Sequence, residues 1–168
     1  MLSNNPGISP EQPAEFGDKQ TLRQPFLARL STDKRLLKVA SEIFRESLVQ
    51  LPSTYFVKTL GGDNGTLWHQ DGAYRTNRLD PMKFFTIWIA LDESTPENGC
   101  LRMLPGSHKE GYLEHEFSGM IGSAERDDEE IEKGDIDESK AVDVKLKAGD
   151  ISIHRPETLH AAYPNTSG

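Results

Sequence analysis

The spacing of hydrophobic positions changes from helical to alternating as the chain is read from its start. After Thr32 or Asp33, either of which can serve as a cap, Leu36, Val39, Ala40, Ile43, Phe44 and Leu48 recur at three- and four-residue steps. That repeat lines one face of a helix, and Pro52 sets its far limit. Residues 21–50 are therefore read as N-terminal helices. Residues 1–20, rich in Pro, Gly and polar side chains, are read as a flexible arm.

Beyond residue 50 the apolar runs become short and are separated by turn residues, the pattern of an all-β region. Residues 54–60 lead into Gly61-Gly62-Asp63-Asn64-Gly65, and the next run ends in Trp68-His69-Gln70-Asp71. Residues 83–91 form the strongest candidate strand. Phe84, Thr86, Trp88 and Ala90 share one face, and Phe85, Ile87, Ile89 and Leu91 the other. Both faces are mostly apolar, which predicts a central strand covered on two sides, one of them toward a pocket. Residues 100–104, 141–147 and 151–154 supply further strands, with Ala148-Gly149-Asp150 turning between the last two. The fold class that follows is mainly β with flanking helices. A jelly-roll barrel is preferred over an immunoglobulin-like sandwich, because the candidate ligands described next come from separated strands and a barrel mouth can gather them.

Those ligands are His69, Asp71 and His160. On a strand, residues i and i+2 point to the same face, so His69 and Asp71 can grip one ion while Gln70 points elsewhere. Two histidines and one carboxylate suit non-haem iron(II) and leave coordination positions open. The same set also suits zinc, which keeps a hydrolytic site as a rival reading. A second pair, His108 and Glu110, follows the turn Pro105-Gly106-Ser107 and runs into a charged segment, where a carboxylate is better solvated.

Composition adds limits. A chain of 168 residues has room for one domain around a single core, here assigned to residues 21–168 with strands over 54–168 and an acidic insertion over 109–140. No apolar run approaches bilayer length, and the start, Met1-Leu2-Ser3-Asn4-Asn5-Pro6, lacks the basic and apolar regions of a signal peptide. A cytoplasmic location without membrane attachment is expected. Cys100 is the single cysteine, so neither an internal disulfide nor a cysteine-rich zinc motif is available, and it reads as a small core residue. Nine acidic and two basic residues between 125 and 138 account for −7 of the net charge of −8. The acidity thus belongs to one segment, read as a solvated loop. No basic stripe points to nucleic acid as a partner.

Several linked motifs surround the candidate ligands: Trp68-His69-Gln70-Asp71-Gly72, Trp88-Ile89-Ala90-Leu91-Asp92, Pro96-Glu97-Asn98-Gly99-Cys100-Leu101, Pro105-Gly106-Ser107-His108, Gly149-Asp150, and Leu159-His160 with Pro164-Asn165. In order and spacing they resemble the phytanoyl-CoA dioxygenase family of iron(II)- and 2-oxoglutarate-dependent oxygenases, from about Tyr55 to Gly168. The resemblance implies a double-stranded β-helix, a cupin-like jelly roll, in which His69, Asp71 and His160 hold Fe(II). It further implies that Gln70 and Trp88 lie near bound 2-oxoglutarate, and that O2 is the second co-substrate. The reaction implied is hydroxylation of a small-molecule substrate with release of succinate and CO2. An aspartate at position 71 favours hydroxylation over halogenation, because relatives that halogenate carry a small residue there.

One departure from the family pattern stands out. An arginine roughly ten residues past the distal histidine normally pairs with the far carboxylate of 2-oxoglutarate, whereas this chain runs only to Gly168. The reading adopted is a fragment lacking its C-terminal closing strands, with Arg102 and Arg155 as possible substitutes. A non-catalytic or degenerate jelly-roll binding protein is the alternative from another class. Lys58 is read as a strand residue whose stem covers apolar surface, and His154 as a barrel or rim residue. The 109–140 segment is read as a lid over the barrel mouth.

Overall fold

The structure, a computed structural model, describes residues 15–16, 25–45, 55–60, 65–73, 84–113, 116–117, 129–130 and 136–167. Most of the expected N-terminal arm and of the acidic insertion lies outside these residues. The chain divides into two compact units, Met1–Val57 and Lys58–Gly168.

The first unit holds strand β1 (Glu15–Phe16), helix α1 (Pro25–Ser31), helix α2 (Lys34–Phe44) and strand β2 (Tyr55–Phe56), with β1 antiparallel to β2. Asp33 is the N-cap of α2. Its carboxylate accepts the Arg35 N–H at 2.8 Å and also pairs with the Arg35 guanidinium at 2.9 Å, filling one of the orphan donors of the first turn. The Arg35 hydrogen bonds draw the Asp33 carboxyl down to about 2. The periodic pattern carried the expected helix to Leu48, but α2 stops at Phe44. Arg45 returns its N–H to Ser41 O at 2.8 Å, the last i→i−4 bond, and its left-handed conformation (φ 53°) ends the helix there. Leu48 lies outside the described residues. Among the described residues no helix is long and apolar enough to cross a membrane.

The second unit is built from β3 (Thr66–His69), β4 (Thr86–Ile89), β5 (Leu101–Met103), β6 (Glu116–Phe117), β7 (Glu129–Glu130), β8 (Val142–Val144), β9 (Ile151–His154) and β10 (His160–Ala162). One antiparallel sheet runs in the order β3-β10-β5-β8, while β4 pairs with β9 and β6 with β7. The described residues are thus mainly β with two α-helices, and their sheets are not closed into a barrel.

Alternation decides what each side of the four-stranded sheet does. Trp68 and Ala161 face a core shared with Leu104, Leu159 and Ile136, whereas His69 and His160, their chain neighbours, take the other face. Burying a side chain of this size contributes on the order of 1.5–3 kcal/mol, and Trp68 is 5 % exposed. Ile136 corrects the reading of the acidic run as wholly solvated. It dips into the core, and Glu138 beside it meets Arg102 at 2.8 Å.

The 83–91 candidate also changes. Only Thr86–Ile89 is strand, and all four of these residues remain partly exposed. Among the described residues β4 has β9 as its strand partner.

Lys58 does more than cover apolar surface. Its ammonium donates to Gly99 O at 2.8 Å and to Tyr163 O, and Asn165 Nδ2 donates to Lys58 O at 2.8 Å. Burial pulls the Lys58 pKa down to about 8, which still leaves it protonated and donating at neutral pH. Gly99 must be glycine here. At φ 96° an added Cβ would fall 2.5 Å from Lys58 Cδ and 2.7 Å from Tyr163 O. Cys100 is buried, as expected of a core residue.

Candidate metal centre

Strand register brings the three sequence-predicted ligands together. His69 and His160 are directly opposed on β3 and β10, and Asp71 sits in the turn just past the end of β3. Imidazole Nε2 of His69 lies 3.8 Å from Asp71 Oδ1, and that of His160 lies 3.5 Å from the same oxygen. The ligand atoms of these three residues all lie within 4.8 Å of one another. His108 and Glu110 are not part of this group. They belong to a short 3-10 turn, Ser107–Lys109, and the residue that caps it.

Both candidate ligand histidines are oriented from behind. His69 Nδ1 meets Leu67 O at 2.8 Å and His160 Nδ1 meets Thr158 O at 2.9 Å. A carbonyl can only accept, so each Nδ1 carries a proton and each ring turns Nε2 toward Asp71. Burial, with His69 adding to it and Asp71 opposing, pulls the His160 pKa down to about 3, so this imidazole is neutral at pH 7. The His160 Nε2 lone pair and the Asp71 carboxylate oxygen then face one another, with His69 Nε2 beside them. A cation resolves that arrangement. Two metal–ligand bonds of about 2.1 Å reach across up to about 4.2 Å, and both carboxylate–imidazole separations fall inside that span.

Asp71 is held from its other oxygen. Oδ2 accepts the Thr86 hydroxyl at 2.5 Å and His154 Nε2–H at 3.1 Å. Burial alone pushes the Asp71 carboxyl up, but the His154 hydrogen bond and the surrounding imidazoles outweigh it, leaving the group well below the usual carboxylate range. His154 is therefore corrected from a barrel or rim residue to one buried against the centre, its ring 4.6 Å from that of His160. Thr86 and His154 are themselves directly opposed on β4 and β9, as are Trp88 and Ser152. By alternation all four share one face of that pair. Ser152 Oγ is buried on it without a partner among the described residues.

Gln70 points the other way. Fully buried, it donates from Nε2 to Gly111 O at 2.8 Å and to Glu157 O at 2.7 Å, and its Oε1 accepts the Leu113 N–H at 2.9 Å. It thereby clips the entrance of the 109–140 segment to the loop before His160. Tyr112 packs against Gly72, where an added Cβ would fall 2.0 Å from the phenol oxygen. Ser107 fastens the distal histidine's approach by accepting the Leu159 N–H at 2.9 Å and donating to Leu104 O at 2.8 Å.

Of the two arginines considered as substitutes, Arg102 lies away from the ligand face. Arg102 pairs with Ala161 in register and lies on the core side, over the Trp68 ring at 5.2 Å and the Tyr163 ring at 4.8 Å. Arg155 pairs with the buried Glu157 at 3.3 Å.

Fold and geometry together define a jelly-roll protein with a two-histidine, one-carboxylate centre. The profile described as "Phytanoyl-CoA dioxygenase (PhyH)" matches residues 8–168, and the chain belongs to that family. A phytanoyl-CoA dioxygenase of Arabidopsis thaliana is 28 % identical over 172 residues, covering 90 % of this chain and 58 % of the relative. Among solved structures, the non-haem monooxygenase ThoJ in its apo form aligns with a TM-score of 0.70 at 29 % identity, over 85 % of this chain and 50 % of its own. EvdO2 of Micromonospora carbonacea var. aurantiaca, solved with 2-oxoglutarate, aligns with a TM-score of 0.64 at 29 % identity, over 88 % of this chain and 57 % of its own. The chain spans about half the length of the curated relatives it matches.

Proposed function

We propose that this chain carries the iron and 2-oxoglutarate centre of an oxygenase that hydroxylates a small organic substrate. The observation that carries the reading is the convergence of His69 Nε2 and His160 Nε2 on Asp71 Oδ1. The family membership and the 2-oxoglutarate complex of EvdO2 support it. His69, Asp71 and His160 would hold Fe(II), and their one-sided arrangement leaves positions for a bidentate co-substrate and for O2. When bound, iron and 2-oxoglutarate supply oxidative decarboxylation to succinate and CO2, coupled to delivery of one oxygen atom to the substrate.

The residues' own part is placement. Leu67 O and Thr158 O fix the imidazole tautomers, and Thr86 with His154 fixes the carboxylate. Trp88 shares the Thr86 face and is assigned a co-substrate contact. Gln70, which the resemblance placed near 2-oxoglutarate, is assigned to the same centre through the loops it clips.

Anaerobic addition of Fe(II) and 2-oxoglutarate to the full-length gene product tests this. A visible charge-transfer band is expected, and it should vanish in His69→Ala and Asp71→Ala variants. A parent protein that binds zinc but develops no band with iron and 2-oxoglutarate would instead favour the hydrolytic reading. Oxygen-dependent succinate formation across a panel of metabolites then identifies the substrate class.

A further inference from the structure

Asp71 has two oxygens in different surroundings, and the difference bears on how it meets a metal. Oδ1 faces His69 and His160, while Oδ2 faces Thr86 and His154. We propose that Thr86 and His154 are positioning residues that clamp Asp71 Oδ2, so that the carboxylate engages a metal through Oδ1 alone. The inference rests on the reading of His69, Asp71 and His160 as ligands.

The clamp follows from register. Thr86 and His154 are opposite one another across the β4–β9 pair, where facing side chains stand within about 5 Å at Cβ. Both project from the same face, and both end on one oxygen, at 2.5 and 3.1 Å. A carboxylate oxygen has two lone-pair directions in its plane, so two donors saturate Oδ2. His154 is buried, at 6 % exposure, and water is poorly placed to take over its bond. A cation approaching Oδ2 has to displace a donor, whereas Oδ1 is open toward both imidazoles. This matters because a bidentate carboxylate takes an additional coordination position, one that a two-point co-substrate and oxygen require. The clamp also separates the roles of the three histidines at the centre. His69 and His160 turn Nε2 toward Oδ1, while His154 uses its Nε2–H to hold Oδ2 and stands outside the ligand set.

Cobalt(II) titration of the full-length gene product, followed through its visible ligand-field bands, tests the clamp without requiring turnover. Outer-sphere donors to a metal ligand set affinity by about 10- to 100-fold, so Thr86→Val and His154→Phe should weaken cobalt binding by that factor and alter the bands. Thr86→Ser, which keeps the hydroxyl and loses only the methyl, should stay within about threefold of the parent on the same scale. Thermal unfolding of each metal-free variant separates loss of binding from loss of fold, and the Thr86 pair decides the matter even if His154→Phe does not fold. Parental affinity and parental bands in Thr86→Val overturn the clamp, as does a Thr86→Ser variant that falls as far as Thr86→Val. If the parent itself takes up no cobalt, the ligand assignment fails and the clamp with it. A parent that binds alongside an unaffected Thr86→Val sinks the clamp alone.

Discussion

Replacing Gln70 by leucine keeps nearly the same volume while deleting an amide that holds three main-chain groups. The groups are Gly111 O, Glu157 O and the Leu113 N–H, at 2.7–2.9 Å. Each neutral hydrogen bond contributes about 1 kcal/mol net, and a buried group left without a partner costs about 1–3 kcal/mol. Glu157 is buried, whereas Gly111 and Leu113 are partly exposed and can recover water. The expected loss is therefore about 3–5 kcal/mol, below the sum of three full penalties. Gln70→Glu separates this account from simple packing. It keeps an acceptor for Leu113 but turns an oxygen toward Gly111 O and Glu157 O, so it should destabilise at least as much as leucine does. Urea unfolding of the metal-free full-length protein measures both, and limited proteolysis within 109–140 reports release of the clipped segment. Finding Gln70→Leu within 1 kcal/mol of the parent, with the segment still protected, would refute the reasoning, since about 1 kcal/mol is the value of a single bond.

Three further outcomes are expected. In the metal-free protein the folded state resists protonating His160 until about pH 3, whereas the unfolded chain takes that proton near the ordinary 6.5. The unfolded state thus binds more protons between those values, and stability should fall as pH falls, by about 1.4 kcal/mol per unit from this site. Asp71, depressed below its ordinary 3.8, acts in the same direction at lower pH. Urea unfolding across the window should show a flatter slope in a His160→Asn variant, and parallel slopes would contradict the assignment. Gly72→Ala places a Cβ 2.0 Å from the Tyr112 oxygen. It should cost about 1–3 kcal/mol in unfolding experiments, with much of the loss recovered in the Gly72→Ala, Tyr112→Leu double variant. Arg102→Lys should lose about 1 kcal/mol of stacking and planar pairing with Trp68, Tyr163 and Glu138. Calorimetric titration should find 2-oxoglutarate affinity unchanged in it, because Arg102 lies on the opposite side of the sheet from the ligands.

The helix and the strands were legible from their periods, and so was the pairing of His69 with Asp71, because each depends on residues close in the chain. Turn chemistry was legible for the same reason. Asn98 Oδ1 accepts the Thr95 N–H at 2.7 Å and its Nδ2 donates to Glu93 O at 2.6 Å, both within five residues of chain. The end of α2 was not visible, since the pattern continued to Leu48 while a single left-handed residue, Arg45, closed the helix. Ile136 was hidden by its acidic neighbours, although an isolated isoleucine in such a run was the available signal.

The sequence by itself determined which residue types could serve as ligands and, through linked motifs, the family; the strand face expected to carry both His69 and Asp71 ends at His69, with Asp71 in the turn beyond it. Only the tertiary structure decided that His154, 83 residues from Asp71, donates to its carboxylate, that Thr86 joins it there, and that Gln70 turns away to fasten loops. Alternation assigns a side chain to one of two faces, but what that face meets depends on strand register. Register is set by pairings between residues far apart in the chain, and no local period records them.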